Sequence, residues 1–502
     1  MLKLSEKHVP DILDCIANLS SDEVFTPPDV AQSILDLLPQ EIWSNPDIKI
    51  LDPVCKTGVL LRECAGRLMV GLEKHFPDEV ERREHIFKNM LHGIAITELT
   101  SLISRRSLYY SKDASSDNSV VKFDQPEGNI RFKRYEHTFT NGKCEVCGSP
   151  YKAVERGDSF ENYAYQFIHE KVDSNMKFDV VIGNPPYQMT DGGGGGKGSS
   201  ASPIYQLFVN QAFRLKPRYV AMIIPSRWFS GGKGLDSFRS QMLKSKNFQE
   251  LVYYPDSAEV FPGPDFGGGV CYFLWDEKYE GKCTFKTVTS GVVTNTTERF
   301  LDEDGEVLIS HAEARPIVKK IQAKGLPTFD ELVSSRRPFG ISVKPAMSKD
   351  KPFKDSVELL TSDGICYIKR DDVITKSEWI DKYKVIIGKA YGERGAYPYK
   401  ILAQPKVLAP GSACSETYLV CGVFKTKKEA DLVASYIETR FFRFLLALQK
   451  NTQNITKEKF SFIPMVDLSK PWTDEALFKE FGITKAEQEY IYSIVREMGQ
   501  SD

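Results

Sequence analysis

Residues 178–187 read FDVVIGNPPY. Val180 to Ile182, with Phe178 nearby, have the β-branched, apolar character of a buried strand. The strand leads into a polar stub, Asn184, Pro185, Pro186 and Tyr187. Two consecutive prolines cannot continue a central strand, because neither has the N–H that a ladder needs. The stub is therefore delivered to the carboxyl edge of the sheet, where open α/β sheets bind ligands. Outward from it lie IKILD (48–52), an amphipathic stretch from Val59, and HGIAI (92–96) on one side, with YVAMIIPSRW (219–228) and GGGVCYFLW (267–275) on the other. Short apolar strands alternating with helices predict a mostly parallel α/β sheet. Residues 191–203, DGGGGGKGSSASP, read as a flexible loop placed directly after the stub, a position in which loops commonly serve a ligand.

Around residue 280 the pattern changes to short strands with frequent Gly and Pro. Lys427 to Gln449 then reads as one helix, with Ala430, Val433, Ile437, Phe441, Phe444 and Leu448 on one face. We expect an α/β domain over 1–280 and a mixed α+β domain over 281–502, and no internal repeat is visible.

The 502 residues are 41% hydrophobic and 27% charged, which is globular composition and excludes a disordered chain, a collagen or a coiled-coil rod. No apolar run approaches the roughly 18 residues of a membrane span, so no membrane partner is expected. MLKLSEKHVPD lacks the apolar core of a signal peptide, so a cytoplasmic location and reduced cysteines are expected for the ten Cys. Residues 1–280 hold 32 Lys and Arg against 38 Asp and Glu, and 281–502 hold 34 against 30, which makes the C-terminal part net +4. That difference is small, and a mixed solvated surface accounts for it without calling on a polyanion partner.

The stub has a physical use. An amide side chain and a proline-fixed carbonyl form a pair of acceptors for an exocyclic NH₂ whose lone pair is conjugated into a ring. Two acceptors favour a pyramidal nitrogen and free its lone pair for an electrophilic methyl, so catalysis becomes positioning plus charge stabilisation. Tyr187 supplies a stacking face for the ring. In residues 50–64, ILDPVCKTGVLLREC, Asp52 ends a strand and Gly58 precedes a helix. This is the arrangement in which α/β sheets hold nucleosides, and equally that of a polar turn with a glycine relieving a clash. FTPPDVAQSILDLLP (25–39) is a sound helix start, with Thr26 as N-cap and Pro27 at the first helical position.

Together these residues resemble the adenine-N6 DNA methyltransferases. Asn184-Pro185-Pro186-Tyr187 matches their catalytic motif. Phe25-Thr26-Pro27 looks like the segment that closes over S-adenosylmethionine, and Asp52-Pro53 through Thr57-Gly58 looks like the cofactor turn. The motif order resembles the gamma class. GNPPYQ, the Gly-rich loop, PIYQLF, IIPSRW and GGVCYFLW together resemble the Eco57I-type methylases of restriction-modification systems. The resemblance implies a Rossmann-like S-adenosylmethionine-dependent methyltransferase domain followed by a target-recognition domain, double-stranded DNA as substrate, base flipping, and a cognate restriction endonuclease as partner. It also implies an aromatic ring opposite Tyr187, for which VFPGPDFGGGV offers Phe261, with Phe266 as runner-up; a core role for Phe261 fits its type equally. Two positions depart from the family: Lys56 stands where the turn carries Gly, and the second strand ends without its usual acid, leaving Glu98 as the nearest carboxylate. In the C-terminal part Arg336, Arg337, Lys369, Arg370 and Arg394 are candidate DNA contacts among ordinary surface charges.

HTFTNGKCEVCGSPY (137–151) places Cys144 and Cys147 at C-x₂-C spacing with His137 seven residues earlier, which is half of a structural zinc site in an insertion of about 131–170. His169 is a candidate fourth ligand, and two reduced cysteines in a glycine turn are the alternative. The NPPY tetrapeptide also occurs in enzymes acting on protein glutamine and on guanine N2 of ribosomal RNA, so it identifies an amine on a planar group rather than DNA. Cytosine-N4 enzymes more often carry Ser at the Asn184 position. Cytosine-C5 chemistry is excluded, since no Pro-Cys dipeptide exists here. A fused nuclease has too little room in the roughly 50 residues before the cofactor turn, and the intact stub argues against a silent specificity module. A subunit of a larger restriction complex stays open.

Overall fold

A run such as Val180-Val181-Ile182 can be apolar throughout only if both faces of its sheet are covered, and both are. The computed structural model describes residues 24–151, 164–169, 177–189, 202–230, 234–261, 268–305, 307–392, 398–450 and 454–499. Two compact units result, Met1–Leu308 and Ile309–Asp502.

The first unit contains β1 (Ile50–Cys55), β2 (Leu91–Ala95), β3 (Ile130–Arg131), β4 (Phe139–Thr140), β5 (Lys143–Cys144), β6 (Val180–Gly183), β7 (Gln188–Met189), β8 (Ser202–Pro203), β9 (Tyr219–Pro225), β10 (Phe248–Tyr254), β11 (Val270–Asp276), β12 (Cys283–Thr289) and β13 (Val292–Arg299). Nine of them form one sheet in the order β13-β12-β10-β11-β9-β6-β1-β2-β3. β3, β2, β1, β6 and β9 are parallel. β11 runs antiparallel to both of its neighbours. Alternation along the strands divides the core: Ile50, Val180, Ile182, Ala221 and Ile223 pack on one face, and Leu51, Val181, Val220, Met222 and Ile224 on the other. Each such aliphatic side chain, once buried, contributes about 1.5–3 kcal/mol. The chain leaves β1 toward β2 on one side and β6 toward β9 on the other, so adjacent β1 and β6 mark the topological switch point, where a crevice opens at the strand ends.

Three expectations are corrected. The division between units falls after Leu308 and not at 280, because β12 and β13 extend the first sheet. β13 is a largely exposed edge strand, so its polar alternation read as a change of domain. The helix after the FTPP segment spans Pro28–Asp36 with Pro27 at its N-cap, so Thr26 does not cap it. The long helix predicted over 427–449 is two, Lys427–Glu438 and Arg440–Gln449. Thr439 is extended between them and its side chain accepts the Phe442 N–H. The Asp474 carboxylate takes the N–H groups of Arg440 and Phe441, which satisfies the second helix's exposed donors and makes the break inexpensive.

In the second unit β14 (Ser356–Thr361), β15 (Gly364–Lys369) and β18 (Ser412–Cys414) form one small sheet, and β16 (Tyr383–Gly388), β17 (Lys406–Leu408) and β19 (Tyr418–Phe424) another. This is the mixed α+β architecture the sequence predicts. Its core gathers Phe339, Val357, Leu359, Ile368, Ile386 and Val420. Lys384 is buried inside it. Its ammonium donates to the carbonyls of Trp379, Ile380, Ala409 and Ser412 at 2.9–3.2 Å. Among the described residues no helix is long and apolar enough to cross a membrane.

Candidate functional site

The ends of β1 and β6 carry the sequence-predicted chemistry. Asp52 is buried, and its Oδ1 accepts the Val54 N–H at 3.0 Å. Burial pushes its carboxyl from 3.8 up to about 6, opposed by that hydrogen bond, by Cys55 and by the Lys56 charge. Gly58 caps the helix Val59–Gly71 at φ +74°, a conformation that favours glycine. A Cβ there would also lie 3.1 Å from the backbone of Ser104. Lys56, the departure from the family's glycine, is buried, and its ammonium reaches the Val24 carbonyl at 2.9 Å. The Ser104 hydroxyl holds the Lys56 carbonyl at 3.1 Å.

Asn184 follows β6 and is 3% exposed. Its Nδ2 donates to the Val24 carbonyl and to the Thr26 hydroxyl, each at 3.1 Å. Both amide hydrogens are thereby used, and Oδ1 is buried with no hydrogen-bond partner among the described residues. An orphaned buried acceptor costs about 1–3 kcal/mol, so it marks a position kept for a donor. Asn184 lines one cavity with Thr26, Asp52, Val54, Lys56, Thr57, Gly58, Val59 and Leu60. At about 10 Å³ it has room for about one water, so any larger ligand requires the cavity to widen. The lining nonetheless fits a nucleoside cofactor: a buried carboxylate, Asp52, lies inside β1, and the helix that follows starts at a turn opened by Gly58.

Pro185 and Pro186 are buried beside Asn184, and Pro53 is buried within β1. Tyr187 and Phe261 are each 1% exposed and meet edge to face, ring centroids 6.2 Å apart at 69°. The predicted pair is thus brought together, but as core packing rather than as two parallel walls. Phe25 is half-buried, and Glu98 is exposed on the first turn of the helix Glu98–Tyr109 beyond β2; neither lines the cavity. A larger cavity of about 360 Å³, with Asp29, Ser33, Tyr254 and Tyr272 in its wall, includes none of the predicted residues. Phe266 and Arg394 lie outside the described residues, as do residues 190–201, nearly all of the Gly-rich loop.

In the second unit Arg336 and Arg337 are exposed, and both donate to the Glu416 carboxylate, Arg337 Nε at 2.8 Å. Arg370 forms a two-pronged pair with Asp381. Lys369 is exposed at the end of β15. These arginines therefore carry counter-charges that the sequence did not reveal.

In the insertion, His137, Cys144 and Cys147 come together with His169, all four ligand atoms within 4.8 Å of one another. Sequence reasoning found three of these and named the fourth as a candidate. It missed Lys56 and Thr26 as partners around Asn184, for which no local signal exists, since Thr26 and Asn184 are 158 residues apart.

A family model described as Eco57I restriction-modification methylase matches residues 89–261. A Mycoplasma pneumoniae protein described as an uncharacterized adenine-specific methylase is 39% identical over 306 residues, 55% of this chain and 72% of that protein. Among solved structures, a nuclease-deletion mutant of the Type ISP restriction-modification enzyme LlaGI in complex with a DNA substrate mimic gives a TM-score of 0.51 at 11% identity, over 88% of this chain and 46% of that one. A DrdV–DNA complex gives 0.45 at 14%, over 94% of this chain and 57% of that one. The chain thus spans about half the length of these two structures, and the likeness to the first shows fold alone.

Proposed function

The chain belongs to the adenine-specific methylases of the Eco57I restriction-modification type, and on that premise we propose that it methylates adenine N6 at a specific site in double-stranded DNA. The observation that carries this reading is the buried Asn184 Oδ1, without a partner among the described residues and fixed in orientation by the Val24 carbonyl and the Thr26 hydroxyl. Asn184 Oδ1 and the Pro185 carbonyl accept the two N6 hydrogens, which turns the nitrogen lone pair away from the ring. Pro186 holds the stub's backbone rigid. Inside a duplex N6 is paired and stacked, so the base leaves the helix before it reaches these acceptors. Tyr187 and Phe261 part to clasp its ring, which supplies an aromatic environment in place of the one they give each other.

S-adenosylmethionine, when bound, supplies an electrophilic methyl on a sulfonium. Asp52, Thr57 and Gly58, which line the cavity, would hold it with Pro53 beside Asp52; the resemblance adds Phe25, Thr26 and Glu98, of which Phe25 and Glu98 are not in that lining and Thr26 is engaged with Asn184. The cavity must widen to admit it. Arg336, Arg337, Lys369, Arg370 and Arg394 of the second unit are proposed DNA contacts. For the arginines paired with Glu416 and Asp381, phosphate must compete with a carboxylate already in place. We read the chain as the modification half of a restriction-modification system acting with a cognate endonuclease, in the cytoplasm, and the cysteines and histidines of the insertion as a structural zinc site.

Incubation with tritiated S-adenosylmethionine and mixed-sequence duplex, followed by nucleoside chromatography and sequencing for modified bases, tests the reading. Label in N6-methyladenine within one short motif is expected, as is its loss in Asn184→Ala with cofactor binding largely retained. Label in guanine, RNA or protein, or full activity in Asn184→Ala, would overturn it.

A further inference from the structure

The insertion lies between β3 and β6, and none of its residues takes part in the transfer chemistry above. Its hairpin, β4 and β5, closes on the tight turn that holds Cys144 and Cys147. The Gly148 N–H returns to the Cys144 carbonyl at 2.9 Å, and the Cys144 N–H bonds the Ser149 carbonyl at 2.8 Å. Twenty-five residues after Cys144, a short helix, Gln166–His169, brings the His169 Nε2 to 3.6 Å from the Cys144 sulfur. On the other side the His137 Nδ1 is 3.4 Å from the Cys147 sulfur. With Zn–S near 2.3 Å and Zn–N near 2.0–2.1 Å, tetrahedral ligands lie roughly 3.3–3.8 Å apart, so two sulfurs and two imidazole nitrogens within 4.8 Å are one small adjustment from closing on an ion.

The surroundings are those of a ligand set. The His169 Nδ1 is 2.9 Å from the Tyr165 carbonyl, and donation to that oxygen leaves the lone pair on Nε2, the nitrogen turned to the cluster. The Ser149 hydroxyl is 3.1 Å from the Cys147 sulfur and can donate to a thiolate there. The short helix also packs toward the catalytic side. Phe167 stacks on Phe208 at 6.2 Å, and Tyr165 meets the same ring edge to face at 5.5 Å. Phe208 belongs to the helix Tyr205–Arg214, which begins directly after β8, the strand paired to the chain leaving Tyr187.

We propose that His137, Cys144, Cys147 and His169 form a complete Cys₂His₂ zinc site, and that His169 makes it a clip tying the hairpin to the helix that buttresses Phe208. This rests on the zinc reading of the insertion and is independent of the methyl-transfer reading. Each cysteine gives its proton to solvent as its sulfur binds, so uptake of one ion releases two protons and changes no oxidation state.

The test uses the full chain. Elemental analysis of the purified protein is expected to find about one zinc per chain, falling together in Cys144→Ser and His169→Ala. Cobalt(II) exchanged into wild-type protein should give the intense visible absorption of a tetrahedral dithiolate site, displaced by added zinc. Hydrogen exchange before and after chelation of wild-type protein should show faster exchange in 139–144 and in 205–214, and zinc should restore both. No metal in wild-type protein overturns the site. Zinc bound at equal affinity in wild type and His169→Ala overturns the fourth ligand, and exchange that changes in the hairpin alone overturns the clip. Each result stands whether or not the protein methylates DNA.

Discussion

Thr26 is the most informative single position in the candidate site, because resemblance and geometry assign it different work. By resemblance it contacts the cofactor; in the structure its hydroxyl accepts a hydrogen from the Asn184 amide at 3.1 Å, and the Val24 carbonyl accepts the other. An amide held by both hydrogens cannot turn over, so its oxygen stays on the substrate side. Thr26→Val preserves shape and removes one acceptor. A neutral hydrogen bond contributes about 0.5–1.5 kcal/mol, and a buried N–H left without its partner costs at least as much again. A loss of about 1.4 kcal/mol at the transition state is about tenfold in rate. Single-turnover methylation at saturating S-adenosylmethionine and DNA should therefore slow about tenfold in Thr26→Val. The cofactor Kd should change little, and Thr26→Ser, which keeps the acceptor, should recover most of the rate. An unchanged single-turnover rate, or a defect carried by cofactor Kd alone, would refute a positioning role.

Folding raises the Asp52 pKa from 3.8 to about 6, so the native state holds that proton more tightly than the unfolded chain. Relative stability is full below about pH 4 and is lost as pH climbs through 6, by ~2–3 kcal/mol. Denaturant melts of the cofactor-free protein should accordingly find Asp52→Asn close to wild type near pH 4 and more stable near pH 8, while S-adenosylmethionine binding weakens. Lys384→Met should destabilise the second unit by about 3 kcal/mol or more, since four buried carbonyls lose their shared donor; a melt within 1 kcal/mol of wild type, on the order of one lost hydrogen bond, would show that water or a neighbour replaces it. Phe261→Leu keeps an apolar side chain against Tyr187 and should cost about 1–2 kcal/mol of stability. If the ring also clasps the flipped base, single-turnover methylation falls further than thermal stability explains, whereas a rate equal to wild type would confine Phe261 to the core.

The strands of the first sheet were legible because both its faces are buried, which leaves runs such as Val180-Val181-Ile182 without polar interruption. The stub after them was legible because prolines end a strand at a definable place, and the approach of Cys144 and Cys147 because C-x₂-C spacing is local. Thr439 shows where this fails: its break depends on the Asp474 carboxylate, 34 residues from Arg440, arriving to satisfy the new helix start. The division at Leu308 escaped detection since an exposed edge strand resembles a surface hairpin of the next domain.

By itself, then, the sequence determined the sheet, the polar stub at its edge and the methylase class, all of which derive from side-chain type and short-range spacing. Only the tertiary structure decided how those groups are held. Thr26 and Val24 orient an asparagine about 160 residues away, Lys56 reaches back from the turn after β1 to the same carbonyl, and His169 joins a cluster whose first cysteine lies 25 residues earlier. Hydrogen bonds and ligand spheres are short-ranged in space but indifferent to distance along the chain, so they leave their mark on packing and not on periodicity.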